Sequence, residues 1–219
     1  MTPYPSYEKD LAVLVADNDM ESAIRGLLSR CDSLAMRPPD ADVLVHRLHD
    51  AACLRHAPEF LRSQSRRYHH ALVVFDREGC GSAETVDELE ADVGRRLAAS
   101  GWDDRAATVV IDPELEVWVW STSPHVESVL GWRGRQPDLR TWLRDHGFLP
   151  QEGHEVKPRR PKEALMEAMR QAGKRRSSAI YWELASKVSL EGCTDSAFQR
   201  LKAILQQWFP ATAEETQGG

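Results

Sequence analysis

The chain opens as a series of short apolar runs separated by amphipathic stretches. DLAVLVAD (10–17) is apolar and valine-rich between polar flanks, the pattern of a buried strand. In DNDMESAIRGLLSR, Asp17, Asn18 or Asp19 can cap a helix whose Ile24, Leu27 and Leu28 share one face. ADVLVHRL (41–48) is a second strand, and PEFLRSQSRRY (58–68) predicts a short helix with Pro58 in its first turn. ALVVFD (71–76) is a third strand, opened by His69 and His70. SAETVDELEADVGRRLAASG (82–101) predicts a helix capped by Ser82, with acids early, arginines late and a glycine stop. Its Glu84, Asp87, Glu88 and Glu90 read as a solvated face, and AATVVID (106–112) is a fourth strand.

Beyond residue 113 the rhythm changes. ELEVWVWS fits both periodicities and leans to helix, while PHVESVLGW and PDLRTWLRDHG read as short helices with proline starts and glycine stops. LPQEGHEVKPRRP (149–161) has the composition of a linker. Three helices follow: PKEALMEAMRQAG, SSAIYWELASKV and TDSAFQRLKAILQQWF, the last with Phe198, Leu201, Ile204, Leu205 and Trp208 along one side. Strands alternating with helices predict an α/β fold, a mostly parallel sheet flanked by helices on both faces with right-handed crossovers. The expected organisation is an α/β domain over 1–148, a linker over 149–161, a C-terminal helical annex over 162–210 and a flexible tail over 211–219.

Composition narrows this picture without naming a function. A chain of 219 residues with 42% hydrophobic and 28% charged residues is globular, neither disordered nor fibrous. No stretch approaches the roughly eighteen apolar residues of a membrane span, and the polar start MTPYPSYEKD lacks a signal-peptide layout, so a cytoplasmic protein without a membrane partner is expected. The four cysteines show no C-x-x-C spacing and read as reduced thiols. Net charge is −6, yet residues 1–150 carry 17 basic and 25 acidic side chains while 151–219 carry 11 and 9. The basic excess lies in KPRRPK and GKRRSS, which nominates Lys157, Arg159, Arg160, Lys162, Lys174, Arg175 and Arg176 as local DNA or RNA phosphate contacts. The negative total excludes a general nucleic-acid coat.

The candidate chemistry is acidic. Asp17, Asp19 and Glu21 follow strand one, Asp76 and Glu78 follow strand three, and Asp112, Glu114 and Glu116 follow strand four. A parallel sheet gathers its sites at the strands' carboxyl edge, where convergent carboxylates can hold a hard divalent cation. Glycines 79 and 81 would let backbone approach a ligand closely. Acidic residues after strands also serve as helix caps and first-turn charges, which is the plainer reading of each cluster taken alone. His46, His49, Cys53 and His56 form a second cluster of metal-ligand types, but at no standard zinc spacing. Nucleophile-elbow, zincin and P-loop motifs are absent. Tryptophans 118, 120, 132 and 142 lie in apolar segments, so core packing or a partner surface is favoured over base stacking.

The acidic turn after strand one, the acidic pair after strand three and the PELEVW string resemble the Toprim-type nuclease and primase domain, and PKEAL followed by SSAIYWELASKVSLEGCTDSAFQRLKAIL is similar to the helical tail of its small stand-alone versions. LVADNDMESAIRGLLSR, ALVVFDREGCG and VVIDPELEVWVWSTSPHV together more closely resemble a component of the bacterial methylation-associated anti-phage defence system. The resemblance implies a Toprim-like fold, an Mg2+ or Mn2+ cofactor, phosphodiester chemistry and other defence-system proteins as partners. Carried over by position, it implies Asp17, Asp76 and Glu78 as catalytic residues and Asp17, Asp76, Glu78 and Glu114 as metal ligands. Where that family places a glutamate at the end of strand one, this chain has Ala16, then Asp17. A non-catalytic adaptor or sensor that binds other members of the system is the alternative.

Overall fold

A computed structural model describes residues 7–153 and 157–211. The expected flexible tail therefore falls outside the described residues from 212 onward, as does part of the expected linker, 154–156. Four strands, β1 (Lys9–Val15), β2 (Ala41–Val45), β3 (Tyr68–Asp76) and β4 (Ala106–Ile111), form an all-parallel sheet in the order β2-β1-β3-β4. Each apolar run read from the sequence is a strand, because uninterrupted apolar runs fit strands covered on both faces. Residues Leu11–Val15 of β1 and 71–76 of β3 are buried throughout.

Helix α1 (Asn18–Leu28) connects β1 to β2, with the short α2 (Cys31–Leu34) after it. Helices α3 (His49–Arg62) and α4 (Val86–Leu97) make the crossovers β2→β3 and β3→β4 and pack together, on the face opposite α1 by the handedness rule. A 3-10 turn at Leu115–Trp118 precedes α5 (Pro124–Leu130), α6 (Leu139–Asp145), α7 (Pro161–Ala172), α8 (Ala179–Lys187) and α9 (Ser196–Trp208). Helix α8 lies directly on α1. At their crossing an ideal Cβ on Gly26 would sit 2.8 Å from both the Ala185 Cβ and the Trp182 carbonyl, so only glycine allows this approach. Helix α9 packs against β4, and its Trp208 stacks on His70 of β3 with ring centroids 4.4 Å apart. None of the described helices is long and apolar enough to cross a membrane.

Three local expectations are corrected. Helix α3 begins at His49, and Pro58 sits inside it rather than in a first turn. A proline there cannot donate to the carbonyl four residues back, at Leu54. The Arg96 guanidinium of α4 donates to that carbonyl instead and to the Arg55 carbonyl at 3.1 Å, which makes the gap tolerable. Helix α4 is capped by Thr85, not Ser82: Thr85 and Glu88 form a reciprocal capping box. Glu90 does not belong to a solvated face. Its carboxylate accepts from the Val110 amide at 2.9 Å and pairs with Arg200 of α9, covering a donor on the edge strand β4.

The tryptophans pack as structure. Trp120, Trp132 and Trp142 are buried, with the first two donating their indole N–H to the Pro161 and Ala168 carbonyls, each at 3.0 Å. Trp118 donates to Asp195 at 2.9 Å.

Urea unfolding tests the proline repair. Arg96→Ala is expected to lose about 1.5–3 kcal/mol, since it orphans a carbonyl served by a charged donor. In a Pro58→Ala background the same substitution should cost far less, because the alanine restores the missing amide.

Candidate functional site

Strand register aligns the carboxyl ends: Val15 pairs with Val45 and Val74, and Asp76 pairs with Ile111. The residues following each strand therefore meet at one edge. Val15 leads into Ala16, 1% exposed, and Asp17, whose Oδ1 caps α1 by accepting the Met20 amide at 2.9 Å. Asp76 ends β3 with 8% exposure; its Oδ1 is fully buried and has no hydrogen-bond partner among the described residues. Beside it stands Asp50 in the first turn of α3, whose Oδ1 accepts the Asp76 backbone amide at 2.8 Å. Asp50 escaped the sequence reading because the helix that carries it was expected to start later, at Pro58.

Burial pushes the Asp76 carboxyl well above its usual range, and the charges of Asp50, Glu116 and Asp17 add to this against the Leu115 amide. Asp50 is raised too, chiefly by burial and then by Asp17, with the Asp76 amide opposing. Among the described residues neither carboxylate has a basic group within 4 Å, so the buried Asp76 and the half-buried Asp50 stand together without a counter-ion. Such a pair holds a proton or takes a cation.

The outer acids are differently placed. Glu78 is exposed on the turn after β3, where its amide donates to the Pro113 carbonyl at 2.9 Å. On that turn Gly79 has φ +95°, and an ideal Cβ there would stand 3.5 Å from Asp50 Oδ2, so the glycine turn closes over the carboxylate pair. Glu114 accepts the Lys162 amide at 2.9 Å and lies 3.5 Å from its Nζ. Glu116 accepts the Tyr181 hydroxyl at 2.6 Å, while Asp19 accepts from Ser178 at 2.6 Å and pairs with Arg176. Side chains from the start of α7 to α8 thus neutralise the outer part of the edge and leave the inner pair.

The basic residues nominated for nucleic acid divide in the same way. Lys162 and Arg176 reach the acidic edge; burial lowers the Lys162 pKa, but Glu116, Glu114 and Asp76 outweigh it and raise it overall. Lys157 pairs with Asp195 at 2.8 Å and Arg160 with Glu163 at 2.5 Å. Arg159, Lys174 and Arg175 show no ion pair among the described residues, and Arg159 and Arg175 are exposed.

No three His, Cys, Asp or Glu side chains among the described residues form a ready-made metal cage. Magnesium nevertheless needs only one or two protein carboxylates, the rest of its shell being water and phosphate. The oxygen donors of Asp76 and Asp50, one of them orphaned and buried, fit that requirement. The histidine cluster does not assemble: His49 and His56 are exposed, His46 accepts the Leu48 amide at 3.2 Å, and Cys53 is fully buried. Burial pushes the Cys53 thiol up, with Asp50 and Asp17 adding to it, so its thiolate is disfavoured.

The pair predicts a pH signature in chelator. A carboxyl raised in the folded state stabilises the fold below its unfolded pKa, near 3.8, and that contribution is lost as pH rises through the folded value. Asp76→Asn should therefore be more stable than wild type at neutral pH, with the gain vanishing below about pH 4 in urea melts.

Comparison with protein-family models, with curated proteins and with solved structures returned no match for this chain.

Proposed function

We propose that this chain is a Toprim-like component of a bacterial anti-phage defence system that binds Mg2+ or Mn2+ at the sheet's carboxyl edge and cleaves nucleic-acid phosphodiesters. The observation that carries this reading is the Asp76–Asp50 pair, a buried carboxylate with an orphaned oxygen beside a second one and, among the described residues, no basic group within 4 Å. Asp76 and Asp50 would hold the cation, with Asp17 across the edge and Glu78 on the turn above adding negative charge. A divalent ion bound there supplies Lewis-acid polarisation of a phosphate and a more acidic water. Ala16 can neither take nor give a proton, so that duty would fall to Asp50 or Asp17, carboxylates whose charge bears on Asp76. Arg159, Lys174 and Arg175 would steer the phosphate backbone without reading sequence.

A non-catalytic adaptor is the second reading, favoured by two observations. Ala16 is buried where the family's glutamate would stand, and Glu114, Glu116 and Asp19 are already held by Lys162, Tyr181 and Arg176.

Thermal melts and cleavage assays separate the two. Millimolar Mn2+ or Mg2+ should raise Tm in wild type and do so far less in Asp76→Asn and Asp50→Asn. Plasmid, single-stranded DNA or RNA should be cut by wild type alone. A metal-dependent Tm rise without cleavage selects the adaptor. Cleavage that persists in both variants removes the assignment of the site.

A further inference from the structure

Behind the acidic edge a cleft of ≈ 490 Å³ opens between α1, the 115–124 segment, α8 and the loop at 188–194. That volume lies in the range of pockets for small organic ligands, roughly 300–1,000 Å³. Close-packed interiors rarely leave such a space. Its position is distinct from the carboxylates. Leu115, Val117 and Tyr181 line the cleft, and none of Asp17, Asp50, Asp76, Glu114 and Glu116 does; the Tyr181 hydroxyl, donating to Glu116, stands between the two.

The walls specify the ligand class. Trp118, Trp120, Tyr181 and Phe198 contribute rings, whose faces favour stacked or edge-on contact with another planar system. Charge argues for neutrality. Lys157 on the wall is 2.8 Å from Asp195 and so internally compensated, while Glu191 is exposed. A group charged deep in the cleft would lose its hydration without finding an open counter-charge there among the described residues, Glu191 standing out in solvent. Hydroxyls of Ser121, Thr122 and Thr194 supply hydrogen bonds at the rim. We propose that this cleft is a binding site for an uncharged, planar aromatic molecule with one hydrogen-bonding edge.

The test uses 1-aminoanthracene, a neutral fluorescent aromatic amine, titrated into the full chain. Its emission should rise saturably with one-site stoichiometry while tryptophan emission is quenched. Leu190 is partly buried on the loop between α8 and α9, and Thr194 beyond it is exposed, so both positions accept a larger side chain at the mouth. Leu190→Trp and Thr194→Trp should each weaken binding about tenfold or more by obstruction. Met166→Ser, at an exposed apolar position on α7 outside the cleft, should leave binding unchanged. No saturable rise in wild type, or unaltered affinity in both filled variants, overturns the proposal. Neither result bears on the carboxylate edge, which is read by metal-dependent melting.

Discussion

The structure depends on burying a parallel sheet on both faces. The central strands β1 and β3 are apolar and inaccessible along most of their length, and a parallel sheet in that state needs helices on each side. The crossovers provide α1 on one face and α3 and α4 on the other, which is unequal cover. The C-terminal third supplies more: α8 seats on α1 through the side-chain-free surface of Gly26, and α9 packs on β4 while Trp208 covers His70. The expected annex is thus in intimate contact with the sheet it follows.

That burial sets the electrostatics of the carboxyl edge. Acidic residues after strands are ordinarily solvated caps, and Asp17 still behaves as one. Where α7, α8 and the intervening turn close over the edge, three outer carboxylates receive donors, Lys162 for Glu114, Tyr181 for Glu116 and Arg176 and Ser178 for Asp19, while Glu78 stays exposed to solvent. Asp76 and Asp50 lie deeper and receive no cation. Leaving two adjacent carboxylates without a cation is costly at a desolvated edge. The cost is intelligible where a ligand or a proton completes the site, and that contrast between satisfied and unsatisfied acids singles out the inner pair.

Much of this was legible from local pattern. The four strands and a helix cap among Asp17, Asn18 and Asp19 follow from apolar runs and short-range hydrogen-bonding chemistry, whereas the fold decided that Asp17 is the cap and that Trp120, Trp132 and Trp142 are core. Three errors share another cause. Pro58 looked like a helix start because the donor that repairs its gap, Arg96, is 38 positions away in sequence. Glu90 looked solvated because its partners, the Val110 amide and Arg200, lie on other elements. Asp50 went unnoticed for the same reason: only the crossover of α3, which passes from β2 over β1 to β3, brings its first turn beside the end of β3.

The sequence by itself determined the α/β class, the strand positions and the presence of acids after the strands, because each is encoded in residues within a few positions of one another. Tertiary structure alone decided which acids are neutralised and which remain. Desolvation and ion pairing depend on distances of a few ångströms between residues as far apart as Asp19 and Arg176, and a linear pattern carries no such distances.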